Sequence, residues 1–232
     1  MPYHPVWHFL FLPVNEQVPY INIHTHHPAE DGGIAIVNTA PENAAAATGF
    51  ISSGIHPWSI GSDSEEALEL LRKAAGLNHV LAIGECGLDK LRKTPMEVQE
   101  RIFIEQIRIA EAVSKPLIIH CVKAFEQLLR INKSEKITVP FIIHGYNNND
   151  QIAAQLQRHG MYLSFGKALL AEGSNAQHVL KDTAAELFFL ETDDAAVPIN
   201  SIFEKAAELR NISVDELRRQ MMLNFKRVFN HE

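Results

Sequence analysis

Imidazole and carboxylate side chains recur at one kind of place in this chain. His24, His26, Glu85, His120, His144 and Asp193 each stand at or just past the end of a short apolar run. In Ile23-His24-Thr25-His26-His27-Pro28, two imidazoles spaced by two point to the same side of an extended strand, as chelation of one ion requires. Gly84-Glu85-Cys86-Gly87-Leu88-Asp89, Ile118-Ile119-His120-Cys121, Ile142-Ile143-His144-Gly145 and Leu190-Glu191-Thr192-Asp193-Asp194 repeat the arrangement. Taken singly, a histidine that ends a strand is an ordinary hydrogen-bonded structural group, and an acid there is a cap or a solvated charge. Taken together, nitrogen and oxygen ligands at the same point of several strands are hard to produce by core packing. They point to a shared divalent metal centre.

Such a centre forms only if the strands bring remote residues together. Candidate strands run over Tyr20 to His24, Ile34 to Asn38, Gly49 to Ser53, Val80 to Gly84, Leu117 to His120, Val139 to His144, Met161 to Phe165 and Leu187 to Glu191. Most are continuously apolar, as parallel strands covered on both faces are. Helical patterns lie between the later ones: Ser64 to Ala75, Pro95 to Val113, Ala124 to Asn132, Asn149 to Arg158, Ser174 to Asp182 and Pro198 to Arg210. Thr94 before Pro95 with Glu97 following, and Ser213 before Asp215 and Glu216, are helix-start signals. The first two connections are short, and Asp31-Gly32-Gly33 reads as a turn, so the first crossover helices should be shortened or missing.

Parallel strands with mostly helical crossovers imply an α/β fold, a (β/α)8 TIM-type barrel in which the carboxyl ends of all strands meet on one rim. A doubly wound open sheet is the alternative, but no Gly-x-Gly-x-x-Gly follows any strand and no GxxxxGK[ST] loop occurs. We expect one domain over residues 1–232, with 1–18 as an N-terminal cover segment and Ser213 to Phe229 as a C-terminal covering helix.

With 46% apolar and 21% charged residues in a 232-residue chain, the composition suits a soluble globular protein with one core. A net charge of −7 argues against an extensive duplex-binding surface, while leaving room for a small cationic site. No apolar run reaches transmembrane length, so no membrane association is expected. Two cysteines, Cys86 and Cys121, are too few for a disulfide framework, which favours a reducing compartment and hence the cytoplasm. Both adjoin proposed ligands, but alternation along a strand turns them away from a metal, as small packing residues.

The ordered set of segments resembles the TatD family of metal-dependent hydrolases. That family's pattern has His-x-His on the first strand, Gly-x-His-Pro after the third, Gly-Glu-x-Gly-Leu-Asp after the fourth, His after the fifth and sixth, and Glu-Thr-Asp after the eighth. Here Gly54-Ile55-His56-Pro57 fills the third place, and the match spans Tyr20 to Phe229. The resemblance implies a barrel hydrolase with one or two divalent metal ions and phosphodiesterase or deoxyribonuclease activity. Carried over by position, His24, His26 and Asp193 would hold one ion, His120 and His144 the other, and Glu85 would bridge them. Asp193 would also orient a metal-bound water and accept its proton. Two carboxylates against two divalent ions leave about two positive charges, which would draw a phosphate into an otherwise acidic protein.

His56 is implied as a substrate contact. Lys90 and Lys123, with Arg92 and Lys93, are candidates for a cationic lip around a phosphate. The ligand types fit Zn, Mn or Mg without naming one. The expected substrate is a small phosphodiester or a DNA end.

Three features depart from the family pattern. Asn22 stands where an Asp is usual, Cys121-Val122-Lys123 replaces a Ser-Arg pair, and Gly145-Tyr146-Asn147-Asn148-Asn149 replaces the usual Gly-containing loop. They bear on metal affinity and substrate choice, and two other readings accommodate the ligands. The same rim can hydrolyse an amide, lactone or other ester, or it can be a catalytically inactive metal-binding module.

Overall fold

β-Branched and aromatic runs form the strands, and the computed structural model describes residues 18–28 and 32–230. The strands are β1 (Ile21–Thr25), β2 (Ile34–Thr39), β3 (Ile51–Ser53), β4 (Val80–Asp89), β5 (Leu117–Val122), β6 (Phe141–Ile143), β7 (Tyr162–Phe165) and β8 (Phe188–Leu190). They pair in parallel in sequence order, as one eight-stranded sheet. Beyond β8 the chain returns to β1. The Asp193 N–H donates to the His24 carbonyl and the His26 N–H donates to the Asp193 carbonyl, each at 3.0 Å, and these bonds close the barrel.

Helices α1 (Ser64–Ala75), α2 (Met96–Val113), α3 (Phe125–Glu135), α4 (Asp150–Arg158), α5 (Asn175–Asp182), α6 (Ile199–Arg210) and α7 (Val214–Phe229) follow from β3 onward. Each turns an apolar stripe inward, such as Leu68 and Leu71 of α1 or Ile202 and Phe203 of α6. Ser213 caps its helix as its sequence signal predicts, whereas α2 begins after Pro95 with no side-chain cap from Thr94. Asn149 accepts from the Ile152 N–H, and Ser213 forms a reciprocal capping box with Glu216. The economical first quarter is as expected: the second crossover is only a 3-10 turn over Pro41–Ala46, and no helix occurs among the described residues between β1 and β2. The expected N-terminal cover lies almost wholly outside the described residues. Among them, no helix is long and apolar enough to cross a membrane.

Several strands are shorter than their apolar runs, such as β6 at Phe141–Ile143, but the fourth is longer. Read by propensity, the fourth run stops at Gly84, because glycine is poor in strands, yet β4 continues to Asp89. It pairs with β5 through Gly87 opposite His120 and Asp89 opposite Val122. The glycines are what permit this approach. A Cβ on Gly87 would lie 2.1 Å from the His120 carbonyl oxygen, at a φ of +136° that L side chains rarely adopt, and one on Gly84 would lie 2.5 Å from that of Ile118.

Gly87→Ala must therefore push β4 away from β5 between two of the expected ligands. A loss of about 2 to 4 kcal/mol is expected, read as a lower denaturant midpoint at unchanged slope. An unaltered midpoint would show that the strands do not meet this closely.

Candidate metal centre

Among the described residues, Glu85 is the one acid in the middle of a strand, and its side chain reaches the rim interior. Its N–H donates to Asn38 Oδ1 of β2 at 2.8 Å, past the intervening β3, and the residue is 5% exposed. Its two oxygens divide the surrounding imidazoles. Oε2 faces His24 Nε2 at 3.4 Å and His26 Nε2 at 3.7 Å, both from β1 and its end. Oε1 faces His120 Nδ1 at 3.0 Å, His144 Nε2 at 2.8 Å and His56 Nε2 at 3.0 Å. Asp193 Oδ1 completes the first group, 3.5 Å from both His24 and His26.

All six residues proposed as ligands thus lie together, with Glu85 between the two groups. Ligand atoms of His24, His26 and Glu85, of His24, His144 and Asp193, and of His56, Glu85 and His120 each lie within 4.8 Å of one another. Both ring nitrogens of the fully buried His24 lack a hydrogen-bond partner. An imidazole held this way, facing two carboxylates, fits a divalent cation better than it fits solvent.

The charges are strongly interdependent. Burial opposes ionisation of Glu85, but His120, His144, His24 and His26 outweigh it and hold the carboxyl far below the usual range. Burial likewise opposes ionisation of Asp193, and His24 and His26 again prevail. In return Asp193 and then Glu85 push His26 up to about 9. Burial and the neighbouring His144 disfavour protonated His24, yet its two carboxylate contacts leave its pKa raised.

Behind these groups stands a second set of acids that the sequence reading quoted but did not assign. Asp89 Oδ2 lies 3.5 Å from His120 Nε2, and the wholly buried Glu191 places Oε1 3.4 Å from His144 Nδ1. Glu191 Oε1 also accepts from the Gly145 N–H at 2.7 Å. Carboxylates placed behind histidines orient metal-binding imidazoles. Alternation was the available signal: Glu191 and Asp193 are spaced by two, like His24 and His26.

His56 has joined the centre rather than standing at its edge. Its Nδ1 accepts from the Trp58 N–H at 3.1 Å, so in the neutral ring the proton is on Nε2, which faces Glu85. That tautomer makes His56 a hydrogen-bond donor and not a ligand. Lys90 and Lys123 are elsewhere. They follow the paired ends of β4 and β5, are exposed, and do not line the cavity of about 420 Å³ that His26, His56, Glu85, His120, His144 and Asp193 share.

Asn22 keeps away from this cavity. Its amide donates to Thr192 Oγ1 at 2.7 Å and its carbonyl accepts from the Thr192 N–H at 3.1 Å, beside the bonds that close the barrel. In the altered loop after β6, Tyr146 is buried with its hydroxyl donating to the Asn149 carbonyl, and Asn147 accepts from the Ala176 N–H. Cys86 and Cys121 are free thiols, and burial pushes Cys121 up to about 12, so neither offers a thiolate to the site.

Comparison with known proteins agrees with this architecture. Residues 34–230 match the family of TatD related DNases. A metal-dependent hydrolase of Bacillus subtilis, YabD, is 28% identical over 196 residues, covering 78% of this chain and 77% of that protein. The 3'-5' ssDNA/RNA exonuclease TatD of Cronobacter turicensis is 32% identical over 165 residues, 69% of this chain and 62% of its own length. The crystal structure of YjjV, a TatD homologue from Escherichia coli K12, superposes with a TM-score of 0.81 at 23% identity, covering 94% of this chain and all of that one. With the barrel order, the imidazoles and carboxylates gathered at its rim and a match that runs from β2 to the end of α7, the chain belongs to the TatD-related family of metal-dependent hydrolases.

Proposed function

We propose that the protein hydrolyses a phosphodiester at the end of a nucleic acid strand or in a smaller nucleotide compound, with one or two divalent ions as its cofactor. The observation that carries this reading is the position of Glu85, one carboxylate with an oxygen directed at each of two histidine groups. His24, His26 and Asp193 would hold one ion, His120 and His144 the other, with Glu85 between them. Zn, Mn and Mg all suit oxygen and imidazole ligands, and Zn or Mn suits this share of nitrogen best. When bound, such ions supply Lewis acidity and lower the pKa of a coordinated water.

The chain's own groups account for the rest. Asp193 is 27% exposed in its side chain, on the open side of the site, where it takes the proton of the attacking water. The new bond is from water oxygen to phosphorus, the bond to the leaving oxygen breaks, and that oxygen recovers a proton. His56, whose Nε2 proton faces Glu85, lies beside the phosphate as a contact through its ring, and Lys90 and Lys123 on the outer rim draw the anion in over a longer distance. The acidic overall charge suits a strand end better than a long duplex. One barrel domain over the whole chain and a cytoplasmic location complete the reading, the latter supported by the two free thiols.

Asp193→Asn should lower kcat on a phosphodiester by about 100-fold or more while circular dichroism stays unchanged. In a panel of phosphodiester, lactone and amide substrates with added Mn, Mg or Zn, turnover of the carbonyl substrates alone would refute the proposal. A wild type inactive with every metal would favour a binding module.

Metal uptake should release protons, because a ligand imidazole must be neutral and Asp193 and Glu85 push His26 up to about 9. The sign follows: affinity rises as pH climbs from about 6 toward 9, and metal is lost on acidification. Calorimetry in buffers of different ionisation enthalpy measures the protons released, and an affinity that is flat across this window contradicts the assignment.

A further inference from the structure

A large aromatic side chain stands in the open at the mouth of the metal cavity. Trp58 is 56% exposed, yet it is held in place from several directions. Its indole Nε1 donates to Asp89 Oδ2 at 2.7 Å, its backbone N–H donates to His56, and its ring meets those of His56 and His120 edge-on, with centroids 4.9 and 5.9 Å apart. The Arg92 guanidinium lies over the indole, with Cζ 4.2 Å from the ring centroid. Asp89 binds a second exposed apolar residue as well, its Oδ1 accepting from the N–H of Leu91, which is 64% exposed.

Exposing an indole forfeits the burial that normally stabilises it, and a structural Trp would not need so rigid a mount. An indole fixed beside a cationic plane, at the edge of a phosphate-sized site, has the form of a surface for a flat, π-bearing ligand.

We propose that Trp58, backed by Arg92, stacks the nucleobase of the nucleotide next to the scissile phosphate. This specificity element rests on the phosphodiesterase reading above and extends it. Stacking requires a base free of its complement, so the platform selects single strands and frayed ends over paired ones, and it tolerates any base because each has a π face. Asp89 joins the two parts of the site, since the same oxygen that fixes the indole lies 3.5 Å from His120 Nε2. Burial opposes ionisation of Asp89, but the bonds from Trp58 and Leu91 hold its carboxyl below the usual range, so it remains an acceptor for the indole.

The test compares a single-stranded oligothymidylate with the same strand carrying an abasic residue beside the cleaved bond. In the wild type kcat/KM should favour the complete strand by roughly 5- to 150-fold, the range that one base–aromatic stack supplies. Trp58→Leu should collapse this ratio toward one, and Trp58→Phe should keep most of it. The ratio is independent of the fraction of folded enzyme. As a readout without turnover, Trp7→Phe leaves Trp58 as the only tryptophan, and a phosphorothioate oligothymidylate should quench its fluorescence where the abasic strand does not. Equal turnover of the two strands by the wild type, an unchanged ratio in Trp58→Leu, or absence of quenching in an enzyme that cleaves phosphodiesters overturns the stacking role alone. Failure to cleave any phosphodiester overturns the reading beneath it.

Discussion

A carboxylate buried at the mouth of a barrel is the constraint from which the rest of the site follows. Glu85 is nearly inaccessible, and an isolated ionised acid in such a place would protonate rather than stay charged. It remains ionised because imidazoles from β1, from β5, from the end of β6 and from the loop after β3 all face it within 3.7 Å. Two of those imidazoles, His120 and His144, face Asp89 and Glu191 on their far sides. Each layer of charge is explicable only by the next. Such a centre stores alternating charge that a divalent cation can replace without rearranging the scaffold, by displacing protons from the histidines.

Geometry of this kind demands that the barrel close in register, and the closing bonds and the chemistry share residues. The backbone groups of His24, His26 and Asp193 bond to one another across the seam while their side chains form one half of the site. A slip of one residue between β1 and the chain beyond β8 would turn the carboxylate out of the site. Asn22 acts at that seam. As an amide it gives a proton to the Thr192 hydroxyl and takes one from the Thr192 N–H, and the Thr192 hydroxyl goes on to Thr25 Oγ1 at 3.1 Å. Its departure from the usual Asp therefore alters the polarity of a hydrogen-bond chain beside His24 and Asp193. It changes no contact in the cavity itself.

Glycine has an equally specific place. Strand pairing between β4 and β5 sets the distance between Glu85 and His120, and the backbone of β5 comes so close to Gly84 and Gly87 that no side chain fits. The same residues that lower the strand propensity of this segment are those that allow it to pair, so local preference and tertiary requirement oppose each other here. That conflict is why the fourth strand reads short by sequence and proves long in the barrel.

Much of the fold, and the meeting of six imidazole and carboxylate side chains at one rim, is legible in the sequence for a simple reason. Continuously apolar strands alternating with capped amphipathic helices admit few topologies, and a parallel barrel must carry whatever follows its strands to one rim. Ligands that end strands are therefore ordered by the chain itself. What the sequence could not decide depends on contacts between segments far apart. Alternation puts Glu191 and Asp193 on one side of the chain, but nothing local shows that Glu191 and Asp89 stand behind histidines. Nor does sequence show that a hydrogen bond from Trp58 fixes the tautomer of His56, that Lys90 and Lys123 stay outside the cavity, or that Tyr146 turns inward from a loop that reads as polar. Residue type and periodicity specify which groups are available and at which end of the barrel. Only the packing of one loop against another determines which atoms face each other, because hydrogen bonds and desolvation act over a few ångströms and not along the chain.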